Sequence, residues 1–216
     1  DTVLGQTYDK VQFVFVNDGT KDDSMQVLDN LIEEKYAHLK DRIVIVNKEN
    51  EGLPAARRTG VSHATGDYIL HVDSDDWVET DMVEKIAAEA IRSGSDIICF
   101  KIFKEEVDRQ KIRGDRKYRI EQKSKFLRDI MDHTAYGYTV NKCAKRCLYT
   151  DNEVHFARFG MFEDVFLFFT VSPDISSITE TPRALLKGST SETSGSPFAV
   201  SHLETALAVT PISSAS

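Results

Sequence analysis

The sequence predicts an α/β protein organised on a doubly wound, mostly parallel sheet. Short strand-length apolar runs alternate with segments apolar at helical spacing. Carboxylates or amides follow successive strands: Asp18 the first, Asn50 the second, Asp75 the third. Right-handed crossovers bring such strand ends to one side of a sheet, where they line one crevice. The third of these strands is the most informative stretch. In 67–77 (D-Y-I-L-H-V-D-S-D-D-W) an apolar run fit for two-sided burial ends in three carboxylates within four residues.

The elements follow in order. Residues 1–9 read as the tail of a helix running into a turn. Residues 11–16 (V-Q-F-V-F-V) are a strand, and 17–20 (N-D-G-T) a turn. Asp22 or Asp23 can cap the helix that carries Met25, Leu28, Leu31 and Ile32 at helical spacing. Residues 43–46 (I-V-I-V) are a strand, 50–52 (N-E-G) a loop, and Pro54 suits the first turn of a helix that Gly66 ends. Residues 82–92 are an amphipathic helix stopped by Ser93-Gly94, and 96–103 a strand. Residues 104–119 are rich in charge and read as an exposed arm. Helices are expected over 121–131 and 142–149, a short strand over 175–179, and a helix over 201–208. Residues 188–197 are rich in Ser, Thr and Gly, and 161–171 are apolar around an acidic pair.

With 216 residues the chain suits one α/β domain with a small extension, and 41% hydrophobic content is enough for a packed core. A net charge of −8 argues against a nucleic-acid binder and provides no polybasic handle for anionic lipid. No apolar run approaches the roughly 20 residues that span a bilayer, and no secretory signal is visible. Three cysteines are an odd, sparse set that suits a reducing compartment. The spacing of Cys143 and Cys147 reads as two cysteines of one helix rather than zinc ligands.

Crowding Asp73, Asp75 and Asp76 at a strand tip sets like charges against one another, and a divalent cation relieves that repulsion. Mg²⁺ and Mn²⁺ take oxygen ligands, typically one or two carboxylates plus substrate phosphates. The plainer alternative is capping of the helix that starts near Thr80 and Asp81. A calcium loop fits poorly, because Trp77 and Val78 fall where an oxygen ligand and a glycine are needed.

Three blocks in order, 14–24 (V-F-V-N-D-G-T-K-D-D-S), 50–60 (N-E-G-L-P-A-A-R-R-T-G) and 65–77 (T-G-D-Y-I-L-H-V-D-S-D-D-W), closely resemble family 2 of the GT-A glycosyltransferases. Further on, 141–146 (N-K-C-A-K-R) resembles the family's W-N-K-L-Y-K-R element and 159–166 (F-G-M-F-E-D-V-F) its G-E-D-x-x-F element. Residues 183–190 resemble its tail more loosely.

The resemblance implies a GT-A fold and an inverting transfer of sugar from a nucleotide diphosphate to an acceptor hydroxyl. It implies that Asp18 reads the base, accepting from N3–H of uracil, that Asn50, Gly52 and Arg57 lie near the nucleotide, and that Asp73 contacts the ribose. Asp75 would bind Mn²⁺ or Mg²⁺ on the diphosphate. Asp164, with Glu163 beside it, would supply the base that takes the acceptor's proton. The apolar neighbours Phe162, Val165 and Phe166 suit a carboxyl whose pKa is raised by desolvation. Helix capping is the simpler role for the pair. The chain departs from the family at Asn17 and Arg58, which replace an Asp and an Asn, and at Val140, which replaces an aromatic. The family's first strand, ending in P-V-Y-N, has no counterpart.

These matches divide the chain into a nucleotide-sugar-binding part over 1–103, an acceptor and base part over 104–194, and a tail over 195–216. The expected function is a UDP-sugar transferase making cell-surface polysaccharide or glycoconjugate. It would use a saccharide or lipid-linked acceptor, in the cytoplasm or peripherally at the inner membrane face. A sugar nucleotidyltransferase, and a non-catalytic nucleotide-sugar or glycan binder on the same scaffold, are the alternatives.

Overall fold

The computed structural model describes residues 1–106, 109–113, 123–131, 138–151, 178–189 and 203–210. One nine-stranded sheet organises them. Strands β1 (Val11–Asp18), β2 (Ile43–Lys48), β3 (Tyr68–Asp73), β4 (Trp77–Val78) and β5 (Ile97–Glu106) come first. Strands β6 (Arg109–Arg113), β7 (Lys142–Lys145), β8 (Ile178–Ser189) and β9 (Leu203–Val209) follow. The order across the sheet is β2-β1-β9-β3-β7-β5-β8-β4, with β6 paired on β5.

Alternation along the strands sorts side chains onto two faces. On β1, Phe13 and Phe15 enter one apolar cluster while Val14 and Val16 enter another. On β3, Tyr68, Leu70 and Val72 face the first cluster and Ile69 the second. Helices α1 (Ser24–Lys35) and α3 (Met82–Ser93) cover the first face through Leu28, Ile32, Met82, Val83 and Ile86. Helices α2 (Leu53–His63), α4 (Lys123–Met131) and α5 (Cys147–Thr150) cover the other through Ala56, Val61, Ile130 and Leu148. Each fully buried Ile or Leu contributes about 1.5–3 kcal/mol.

Local chemistry sets the helix ends. Asp22 Oδ1 accepts the N–H of Ser24 at 2.9 Å, capping α1 from one residue ahead of the formal cap. Pro54 sits in the first turn of α2. Gly94 closes α3 in the left-handed conformation, φ 61°, as the Ser-Gly stop predicts.

The expected α/β architecture is present, but the ladders correct its details. Ladders β1–β2 and β5–β8 are parallel, whereas β9 runs antiparallel to both β1 and β3, and β7 antiparallel to β3 and β5. Strands β2, β1, β3, β5 and β8 therefore all point the same way, with reversed strands between them. The sheet is mixed rather than mostly parallel, yet the ends of β1, β2 and β3 still share one edge.

Three segments differ from expectation. Residues 142–145 form β7 instead of a helix, because Cys143 and Ala144 are buried between β3 and β5. Cys143 therefore lies on a strand and Cys147 on a following short helix. Residues 203–209 form β9 instead of a helix, and Ala206, Leu207, Ala208 and Val209 are buried in the middle of the sheet. Within 104–119, the described residues pair as the β5–β6 hairpin rather than forming an unpaired arm. Among the described residues, no helix is long and apolar enough to cross a membrane.

Glycines admit β9 to its slot. A Cβ on Gly66 would stand 2.7 Å from the backbone C of Ala208 and N of Val209, and one on Gly60 would stand 3.3 Å from Cβ of Ala206. Leu203 is opposite Asn17 of β1, and Glu204 is opposite Asp73 of β3. The start of β9 thus lies at the sheet edge where β1 and β3 end.

Candidate active site

Asp18 is the last residue of β1 and is 2% exposed. Its ladder partner is Lys48, the last residue of β2, and Lys48 Nζ donates to Asp18 Oδ1 at 2.7 Å. The N–H of Glu51 donates to the same carboxylate at 3.1 and 3.3 Å, and the N–H of Gly52 to Oδ2 at 2.7 Å. Burial works to raise the pKa of Asp18. The Lys48 ion pair and the two amides outweigh it and hold the carboxyl below its ordinary value. Lys48 is displaced upward for the complementary reason, its burial being outweighed by Asp18 and Glu51.

This anchoring shapes the loop between β2 and α2. Gly52 sits at φ 88°, a conformation that favours glycine, and is the N-cap residue of α2. Gly19, at φ 76°, lets Asn50 approach: a Cβ there would come within 3.0 Å of the Asn50 amide nitrogen. Asn50 is exposed on this loop.

Helix α2 then carries Arg57 inward. Arg57 is 2% exposed, and its Nη2 donates to Asp73 Oδ1 at 3.1 Å at the end of β3. The turn after β3 is closed by the N–H of Asp76 donating to the carbonyl of Asp73 at 3.1 Å, and it projects Asp75 into solvent. Sequence-predicted Asp18, Asn50, Gly52, Arg57, Asp73 and Asp75 thus share one sheet edge. Glu163 and Asp164 lie outside the described residues.

The donor set fits a hard cation held partly by a ligand. Asp75 offers exposed carboxylate oxygens, and Asp73 a carboxylate shared with Arg57. Among the described residues, no three His, Cys, Asp or Glu side chains gather as a protein-only cage. One or two carboxylates completed by phosphate oxygens is the usual Mg²⁺ arrangement.

Asn141 and Lys142, from the N-K element, lie at the start of β7. Lys142 is 1% exposed, with Nζ donating to the Tyr138 carbonyl at 2.9 Å and to Asn141 Oδ1 at 2.6 Å. Asn141 bonds to Phe100 of β5 through its carbonyl and its side-chain amide, so the pair ties the start of β7 to β5. Lys48 is the site residue that sequence reasoning missed. Carrying β2 two residues past its apolar run and registering it on β1 places that cation opposite Asp18.

The family model for glycosyl transferase family 2 matches residues 1–151. The chain is similar to the putative glycosyltransferase EpsH of Bacillus subtilis, 28% identical over 167 residues that cover 76% of this chain and 47% of that protein. It is also similar to the glycosyltransferase GlyA of Streptococcus pneumoniae, 37% identical over 97 residues, 45% of this chain and 13% of that one. The chain thus spans about half the length of the first relative and less of the second. Among solved structures, S. aureus TarS 1–349 in complex with UDP-GlcNAc superposes with a TM-score of 0.70 at 16% identity, covering 89% of this chain and 54% of that one. That likeness carries the fold, which is GT-A. Motif order, sheet architecture and family match agree: the chain belongs to glycosyl transferase family 2.

Proposed function

We propose that the chain carries the donor site and the catalytic base of an inverting, metal-dependent glycosyltransferase that moves sugar from a UDP-sugar to an acceptor hydroxyl. The observation that carries this reading is the convergence of Asp18, the Arg57–Asp73 pair and Asp75 on one sheet edge. The relatives add support. TarS has been solved with UDP and with UDP-GlcNAc, and a cholesterol galactosyltransferase of Borreliella burgdorferi is 35% identical over 100 residues.

The residues divide the work. Asp18 accepts from the base, Asp73 holds the ribose, and Arg57 fixes Asp73 and adds positive charge near the diphosphate. Asp75, with Asp73 beside it, would hold Mn²⁺ or Mg²⁺. A bound cation supplies neutralisation of the charge that develops on the departing nucleotide diphosphate. Asp164, with Glu163, takes the proton of the acceptor hydroxyl. That oxygen bonds to the anomeric carbon from the face opposite the breaking bond to phosphate, which inverts the centre and releases UDP. The acceptor is a saccharide or lipid-linked saccharide of cell-surface polysaccharide or glycoconjugate synthesis, met in the cytoplasm or at the inner membrane face. In this division of labour 1–103 bind donor and 104–194 serve acceptor and base, while 203–209, expected within a tail, return as β9 between β1 and β3 and complete the donor-side sheet.

A thermal-shift titration with UDP, GDP and CDP, with and without Mn²⁺, tests it. Ligand at a hundredfold excess over Kd stabilises by roughly 2.7 kcal/mol. We expect a Mn²⁺-dependent shift with UDP that Asp75→Ala removes, followed by retention of labelled sugar on the acceptor. The absence of a shift with any nucleotide, or release of pyrophosphate in place of sugar transfer, overturns the reading.

A further inference from the structure

Lys48 lies outside the family motif blocks, yet all three of its donors are engaged at the site. An ammonium has three N–H donors. Lys48 directs them to Asp18 Oδ1 at 2.7 Å, Glu51 Oε2 at 2.8 Å and the Glu49 carbonyl at 2.9 Å. Its side chain is 16% exposed and that of Asp18 is 3% exposed, so the pair lies largely out of water.

Asp18 receives three donors in return: Lys48 Nζ and the amides of Glu51 and Gly52. An ionised carboxylate has about four acceptor positions, which leaves roughly one for a ligand. Such a carboxylate only accepts, whereas a protonated carboxyl also donates. The ionisation of Asp18 therefore decides which base edge it can meet. Uracil presents N3–H, a donor. Cytosine presents a bare N3 lone pair, which an acceptor-only group repels.

Burial by itself favours the protonated form. The charged neighbours decide the outcome. Lys48 faces Asp18 from β2. Glu51 of the loop is bound to Lys48, with Arg58 of α2 acting on Glu51. Arg57 is directed to Asp73 instead. On β1, the Asn17 amide is turned to Asn47 and to the N–H of Thr20. Lys48 is thus the cation in direct contact with Asp18 among the described residues.

We propose that Lys48 is a base-selecting positioning residue. By holding the buried Asp18 as an acceptor, it makes the nucleotide site take a pyrimidine presenting an N–H donor and refuse one presenting a bare ring nitrogen. This deepens the proposed function and rests on Asp18 meeting the base.

The test is calorimetric titration of UDP and CDP with Mn²⁺ at about pH 5 and about pH 8, a span over which a carboxyl freed of its cation can titrate. The chains are wild type, Lys48→Met, Lys48→Arg and Asp18→Asn. Wild type should prefer UDP by roughly tenfold or more at both pH values, as expected when a wrong partner leaves a buried polar group unmatched. In Lys48→Met the preference should shrink to within about threefold at the lower pH and recover at the higher, as Asp18 ionises again. Lys48→Arg should restore the wild-type profile. Asp18→Asn, whose amide both donates and accepts, should lose the preference at both pH values, and it serves if Lys48→Met does not fold. A Lys48→Met chain with the wild-type preference at both pH values overturns the proposal. So does equal weakening of UDP and CDP with no pH dependence, or full UDP preference in Asp18→Asn. A wild-type chain that binds no nucleotide removes the proposed function and this inference with it. Wild-type binding with an unaltered Lys48→Met profile removes this inference alone.

Discussion

Arg57 Nη2 donates to Asp73 Oδ1 at 3.1 Å, joining the middle of α2 to the tip of β3. The guanidinium is buried and the carboxylate side chain 37% exposed, so the pair works as a brace reaching from the interior to the site. We expect Arg57→Ala to cost about 1.5–3 kcal/mol in a urea unfolding series, the range for hydrogen bonds to charged groups. It should also weaken UDP binding by roughly tenfold or more, since Asp73 loses its fixed orientation. Arg57→Lys keeps the charge without the planar fork and should recover stability better than affinity. Wild-type affinity in Arg57→Ala would show that the brace does not serve the nucleotide.

Asp18 also makes stability depend on pH. Its folded pKa lies below the ordinary value of 3.8, so its contribution is fully present above that value and is lost as pH falls through the folded pKa. Lys48 is raised above 10.5, so its share holds below that pH and is lost as pH rises through its folded pKa. Between these limits the pair's contribution should be flat. In Asp18→Asn, acid unfolding followed by circular dichroism should lose part of the steepness seen below about pH 4, and the neutral plateau should drop by about 1–3 kcal/mol as Lys48, still held by Glu51 and the Glu49 carbonyl, loses one charged partner. An acid limb identical to wild type would mean that other carboxylates govern it.

Much of this was legible because two-sided burial leaves a plain mark. The V-Q-F-V-F-V run feeds Phe13 and Phe15 to one face and Val14 and Val16 to the other, and such a run suits little except a central strand. Asp18, Gly52 and Asp73 stand at a strand end or helix start that local signals fix, whereas Arg57, in the middle of α2, was singled out only by the resemblance to the family's A-R-N element, as were the roles expected of all four. The segments misread were those decided by distant partners. Residues 203–209 (L-E-T-A-L-A-V) contain good helix formers, but the slot between β1 and β3 outweighs that preference. Residues 142–145 become a strand because β3 and β5 flank them. Lys48 was invisible because its pairing depends on register, which one sequence read locally does not display.

The slot itself can be tested at Gly66. A Cβ there would stand 2.7 Å from backbone atoms of Ala208 and Val209, and backbone in the middle of a sheet cannot yield as the tip of a flexible side chain can. Gly66→Ala should destabilise by about 1–3 kcal/mol, the usual cost of overpacking. At roughly 2–4 °C per kcal/mol for a chain of this size, the fall in Tm is readily measured. Glu34→Ala, exposed on α1, is the control. An unchanged Tm in Gly66→Ala would mean that β9 does not press on Gly66.

Asp75 separates binding from folding. It is exposed in the turn after β3, and surface changes of this kind usually move stability by no more than about 0.5 kcal/mol. Its proposed work is confined to the cation and the diphosphate, so its loss should be silent without ligand. Asp75→Asn keeps the shape but removes the charge and one of the two oxygens that a hard cation favours. We expect an apo melting curve like that of wild type, with a Mn²⁺-dependent UDP shift reduced or absent. EDTA added to wild type should reproduce that result, because each treatment removes one half of the same ion pair. If Asp75→Asn and EDTA both leave UDP binding intact, the carboxylates at the end of β3 cap the turn into α3 and the nucleotide is held by Asp18, Arg57 and the loop at 49–52. If EDTA abolishes binding while Asp75→Asn does not, the cation is held by other oxygens, and Asp73 is the first to substitute.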